Sequence, residues 1–200
     1  MRADQPEMIT PAEVGGWTER MMLDLLHQRF TQKSQGLGDR WVRAEHVRAA
    51  CGWAGVSFAE GQKWQRRQMR TADFMAQDTW EAQGLDLHGV EVKVSRSDWL
   101  TELRDPSKAA AIKRFCNRWW LAVPHKSIVK DDLPSDWGLL VIGRNGRLRV
   151  AKSAPPLRPD PMPATFRASL LRAVAKTNSQ DTGLKAMTTT PTNTKQGDHQ

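Results

Sequence analysis

An α/β fold built on a mixed central sheet is what the sequence predicts, and three observations predict it. A helical stretch opening at Asp105-Pro106 separates two apolar strand patterns, 90–94 and 118–123, and a helix between two such strands implies a crossover with parallel pairing. Asn145-Gly146 lies between Gly138–Gly143 and Arg147–Ala151, a strong signal for an antiparallel hairpin. Only a polar excursion, Gln77 to Gly84, parts the strand pattern around Asp73 from the one around Glu91, so a second hairpin joins them.

Taken in order, residues 1–16 read as a loose leader. Trp17 to about Gln32 have helical periodicity, with Met22, Leu25, Leu26 and Phe30 on one face and Thr18 as the cap. Glu19 falls at the end of that apolar face rather than on the opposite one; a first-turn acid favoured by the helix dipole explains it equally well. A turn at Gly36–Asp39 precedes Arg40–Val47, where periodicity does not separate strand from helix and strand is preferred. Residues 60–70 gather Lys63, Arg66, Arg67 and Arg70 around Trp64, the composition of a basic solvated loop or of a flexible DNA-facing segment.

Ser95–Asp98 end the second site strand and cap a short helix from Trp99; the next helix runs to about Asn117. Arg118–Val123 is a buried-looking strand closed by Pro124. A proline-rich linker and a short basic helix, Thr165–Lys176, occupy 156–176, with Phe166, Leu170 and Val174 along one side. Residues 177–200 have the composition of a disordered tail. The expected organisation is therefore a leader (1–16), one α/β domain (17–155), linker plus helix (156–176) and tail (177–200).

Composition narrows the function. Thirty Lys and Arg against 22 Asp and Glu leave a net charge of +8 in 200 residues, which favours an anionic partner such as nucleic acid. Two cysteines, Cys51 and Cys116, are too few for a disulfide framework or a four-thiolate site. With no leader of secretory type and no apolar run of membrane-spanning length, a cytoplasmic protein with no membrane partner is expected.

The chemistry is carried by Asp73 in one strand and Glu91-Val92-Lys93 in the next. Strand side chains alternate, so Glu91 and Lys93 share a face and Val90, Val92 and Val94 take the other; one face is expected to pack and the other to carry chemistry. Two carboxylates can hold a divalent ion with open positions, and hydrolysis of a phosphodiester needs an activated water and a stabilised negative charge. Mg2+ suits so sparse a set, with Mn2+ as the substitute. Lys93 can orient the attacking water, its pKa open to lowering by burial, and Glu19 can add a ligand. Arg70, Ser95, Arg96, Lys108 and Lys113 are candidate DNA contacts, and Trp64 and Trp99 are candidates for base stacking. The histidines His46, His88 and His125 share no metal-ligand spacing.

Asp73, Glu91-x-Lys93, a preceding helical glutamate and a following helix and strand resemble the PD-(D/E)XK nuclease superfamily. Within it, Arg70-Thr71-Ala72-Asp73, the run Glu91-Val92-Lys93-Val94-Ser95-Arg96-Ser97-Asp98-Trp99 and Phe115–Pro124 resemble the MmcB-like DNA repair proteins of bacteria and their phage-borne relatives. The resemblance covers about residues 17–155. It implies a mixed sheet flanked by helices, of restriction-endonuclease type, Mg2+ dependence and a DNA substrate cut in repair or recombination. Ala72 replaces the superfamily's proline, and Asn117 stands where relatives are expected to carry an acid. The absence of tyrosine and the scarcity of cysteine separate the chain from exonuclease branches with a glutamine-tyrosine motif or an iron–sulfur cluster. A homodimer would suit paired cuts. The alternative reading is an inactive DNA-binding protein on the same fold; a third is a structural protein whose acids are merely solvated.

Overall fold

The computed structural model describes residues 16–36, 38–59 and 62–188, with side chains outside 51–68 and 181–188. Helix α1 (Glu19–Arg29) opens the chain, its first turn capped by the Thr18 hydroxyl, which accepts from Met21 N at 3.3 Å. A two-residue pair, β1 (Lys33–Ser34) and β2 (Gly38–Asp39), turns through Gly36 at φ 87°. Then come β3 (Trp41–Ala59), β4 (Gln62–Asp78), β5 (Leu87–Val92), α2 (Arg96–Arg104), α3 (Ser107–Lys113), β6 (Arg118–Val123), β7 (Gly138–Ile142), β8 (Leu148–Lys152) and α4 (Ala164–Thr188).

Strands β3 to β8 form one six-stranded sheet in sequence order. The β3–β4, β4–β5 and β7–β8 pairs are antiparallel, and β5–β6 and β6–β7 are parallel. The fold is α/β with a mixed central sheet flanked by helices. The crossover helices α2 and α3 account for the parallel β5–β6 pair, as the helix between the two strand patterns predicts.

Both faces of the sheet pack. On one, Met22, Leu23 and Leu26 of α1 cover Phe74, Val90, Val92, Trp120 and Leu140. Each of these helix side chains contributes about 1.5–3 kcal/mol by leaving water. On the other, α2, α3 and α4 cover Met75, Leu87, Trp119, Leu121 and Leu139 through Trp99, Ile112 and Phe166. Large indoles lie flat across the sheet, which dictates glycine beneath them: a Cβ on Gly89 would meet Trp119 at 2.2 Å, and one on Gly138 would meet Trp120 at 2.4 Å.

Several expectations are corrected. The basic stretch 62–70 is strand, not loop, because β3 pairs with it in a ladder that carries two register shifts; the tip at 60–61 lies outside the described residues, as does most of the leader. The segment before α4 is strapped down rather than a free linker: Leu157 N donates to Asn117 O at 2.8 Å, Asp160 N to Arg114 O at 2.7 Å, and the Asp160 carboxylate pairs with Arg114. Helix α4 does not stop at Lys176 but continues to Thr188, and 189–200 lie outside the described residues. It continues because Thr177, taken for the start of a tail, is buried and accepts from the Glu45 main-chain N–H at 3.0 Å. Among the described residues no helix is long and apolar enough to cross a membrane.

Candidate metal centre

Apart from two register shifts between Ala50 and Gly55, the β3–β4 ladder lacks one pair, near the body of the sheet. Glu45 pairs with Phe74 and Val47 with Ala72, but His46 and Asp73 between them are not paired. His46 adopts φ 50°, a left-handed conformation that costs a non-glycine residue about 1–2 kcal/mol. The kink exchanges the faces of the sheet: Ala44 and Val47, three residues apart, enter the same core cluster. Freed from the ladder, Asp73 accepts a hydrogen bond from Val92 N at 2.8 Å.

This brings together what the sequence set apart. Ligand atoms of Glu19 (α1), His46 (β3) and Asp73 (β4) all lie within 4.8 Å of one another, with His46 Nδ1 3.7 Å from Glu19 Oε1. Glu19 and Asp73 line an open cleft of about 420 Å³ together with Lys93, Asp98, Thr101, Glu102 and Lys108. Two carboxylates and one imidazole are donors suited to a divalent ion of the Mg2+ or Mn2+ kind.

Glu91 is not on an open chemical face, as alternation suggested, but is 5 % exposed, on the side covered by α2. Burial, then the Asp73 charge, push its carboxyl well above the ordinary carboxylate range, while Lys93 opposes them. A cation held beside the two carboxyl groups would offset the charge that raises it.

Lys93 Nζ lies 3.3 Å from Glu91 Oε2 and 3.4 Å from Glu102 Oε2. Burial alone would lower its pKa, as the sequence reading allowed, but the carboxylates of Glu91, Asp73 and Glu102 outweigh burial and raise it. Lys93 is therefore a fixed ammonium, a donor and a charge rather than a base. Glu102 belongs to this centre although sequence reasoning passed over it. Its second oxygen is buried without a hydrogen-bond partner, an arrangement that costs roughly 1–3 kcal/mol or more for a charged group. Its spacing from Trp99, which puts both on the buried side of α2, was the available signal.

The proposed DNA contacts divide. Lys108 lines the cleft. Ser95 is the N-cap of α2, accepting from Asp98 N at 3.2 Å. Arg96 is committed to Ile128 O, Val129 O and Asp132 at 2.8, 3.2 and 2.5 Å. Lys113 pairs with Asp136 at 2.5 Å and Arg70 with Asp105 at 3.3 Å. Trp99 is fully buried and donates to Asp132 at 2.6 Å, so it cannot stack on a base; the Trp64 and Cys51 side chains lie outside those described. Cys116 is a buried free thiol whose pKa burial drives up. Asn117 fills a backbone role, its Oδ1 accepting from Leu87 N at 2.9 Å.

A larger cleft of about 660 Å³ at the other end of α1 is lined by Arg29, Lys33, Arg43 and Arg147, with Asp39 its sole acid. Arg43 already binds Asp39 at 2.9 Å, so this cleft has no free carboxylate set for a cation.

No family model and no curated protein matches the chain. Among solved structures it is similar to the SPO1766 protein of unknown function from Silicibacter pomeroyi, at 20 % identity and a TM-score of 0.44, over 74 % of this chain and 80 % of that one.

Proposed function

We propose that the chain is a divalent-metal-dependent nuclease that hydrolyses phosphodiester bonds in DNA, as an endonuclease in repair or recombination. What supports this above all is the convergence of Glu19, Asp73 and Lys93 on one open cleft, with His46 beside the first two and Glu91 beside Lys93, in a protein of net charge +8. Asp73 and Glu91, with Glu19 and His46 beside Asp73, would hold the ion. A divalent ion held there supplies positive charge to a phosphate oxygen and acidifies water. Mg2+ fits the carboxylates, and the imidazole makes Mn2+ an equal or better ion.

The chain's own groups do the rest. Lys93, locked as an ammonium by Glu91 and Glu102, donates hydrogen bonds and so orients the attacking water or a phosphate oxygen, without taking a proton. Lys108 at the cleft adds charge for the phosphate backbone. Val92 N–H holds Asp73 in place for the ion. A cytoplasmic location is part of this reading and agrees with a buried reduced thiol at Cys116.

The test is cleavage of labelled single-stranded, duplex and branched DNA with Mg2+ or Mn2+, beside Asp73→Ala and Lys93→Ala. Divalent-dependent cutting lost in both variants is the expected result. Binding without cutting would instead favour an inactive DNA-binding protein on this scaffold.

A further inference from the structure

Strand β5 pairs with β4 only from Phe74 to Gln77. Strands β3 and β4 nevertheless stay paired with each other from Val47–Ala72 out to Ala59–Gln62. More than half of each strand therefore leaves the sheet as a two-stranded ribbon, roughly 40 Å long at a strand's usual rise. It departs at the His46–Asp73 break, so the candidate metal centre is its root. Helix α4 lies against β3 and braces it.

The charge on this ribbon is one-sided. Residues 47–72 contain Arg48, Lys63, Arg66, Arg67 and Arg70 against a single acid, Glu60, between the two strands. In register, Lys63 stands opposite Phe58, Arg66 opposite Gly55, Arg67 opposite Trp53 and Arg70 opposite Ala49. Cross-strand ion pairs, the ordinary structural use of such residues, are therefore not available along the ribbon. Arg70 binds an acid of the body, Asp105. A partner with a dense and regular negative charge would complement the rest.

We propose that the β3–β4 ribbon is a duplex-DNA arm: it lies in the major groove, and its cations follow the phosphate rails down to the cleft at its root. The B-form major groove admits a two-stranded ribbon. The major groove of double-stranded RNA is too narrow to do so, and a single strand offers no groove. The arm rests on reading the chain as a DNA-acting protein, but it does not require turnover.

Binding of a 30-base-pair DNA duplex, the matching RNA duplex and the single strand is measured by fluorescence anisotropy in EDTA, where metal-dependent cutting cannot occur. The intact protein should bind duplex DNA at least about tenfold more tightly than duplex RNA or the single strand. Lys63→Gln/Arg66→Gln/Arg67→Gln should lose at least about tenfold in DNA-duplex affinity. Its plot of log affinity against log salt should be shallower by about 2–3, the change expected for three lost phosphate contacts. Arg66→Lys/Arg67→Lys should keep most of the affinity. Protection of Lys63 from amine acetylation by bound duplex DNA, read on the unaltered protein, gives the answer independently of how the variants fold. Equal binding of the DNA and RNA duplexes, an unchanged salt slope in the triple variant, or a Lys63 as reactive with DNA as without it would overturn the arm. Tight duplex-selective binding together with no cutting in Mg2+ or Mn2+ would uphold the arm and defeat the nuclease reading.

Discussion

The main-chain N–H of Val92 donates to the Asp73 carboxylate at 2.8 Å, a bond between two strands at the step where their neighbours leave the ladder. It makes Asp73 both a fastening of the sheet and a candidate ligand, and the two roles can be separated chemically.

Asp73→Asn keeps an oxygen to accept from Val92 but loses the charge, whereas Asp73→Ala leaves that N–H without a partner. Thermal melts should place the Ala variant about 1–3 kcal/mol below the Asn variant. Titration calorimetry with Mn2+ should show binding lost in both.

Glu91 carries a carboxyl raised by burial and by Asp73. Without an ion, the folded chain holds a proton that the unfolded chain releases above about 4.5, so this group removes stability as pH rises past that value. Glu91→Gln has no proton to lose. In EDTA it should melt above the parent at pH 8, and that advantage should be gone at pH 4. Added Mn2+ should raise the parent's melting temperature at pH 8 and leave the variant's unchanged.

His46 combines a strained backbone with an imidazole beside Glu19 and Asp73. His46→Gly relieves the left-handed conformation, so it should stabilise the fold by about 1 kcal/mol while weakening Mn2+ binding. His46→Ala should weaken Mn2+ more than Mg2+, since nitrogen ligands favour the former. Equal loss for both ions, measured by calorimetry, would remove His46 from the centre.

His88 packs among Phe30, Trp41 and Trp120, and its Nδ1 accepts from the Trp120 indole at 3.1 Å. Burial lowers its pKa to about 4 from 6.5. Because the folded form binds the proton less readily than the unfolded chain, stability is complete above pH 6.5 and falls as pH drops toward 4. The loss should reach about 3 kcal/mol. A His88→Phe variant should flatten that part of the urea-denaturation profile.

Much of the sheet was legible because its signals are local. The 3.6-residue period of α1, the Asn145-Gly146 turn and the helix between two apolar strands each act over a few residues, and each appears where expected. Asp73, Glu91 and Lys93 were legible as residue types in a pattern. Their burial was not, because alternation tells which residues share a face but not whether α2 covers it. His46 was hidden for a related reason. Its nearness to Glu19 depends on a broken ladder step and a positive φ, neither of which histidine announces. The ribbon resembled a loop because its arginines, glutamines and glycines lack the apolar alternation of a half-buried strand; it needs none, having no sheet beside it. The end of α4 was missed because threonine is a poor helix former, and Thr177 is held there by a backbone donor far away in sequence.

That last bond has a consequence for the order in which the molecule can be completed. The Glu45 amide, one residue from His46, receives its partner from a hydroxyl 132 positions downstream. During synthesis nearly the whole chain must leave the ribosome before the kink beside the metal centre has its final hydrogen bond. A nascent chain halted before Thr177 carries all the proposed ligands yet lacks the contact that closes the backbone behind them. Maturation of the centre is thereby tied to the docking of the last helix.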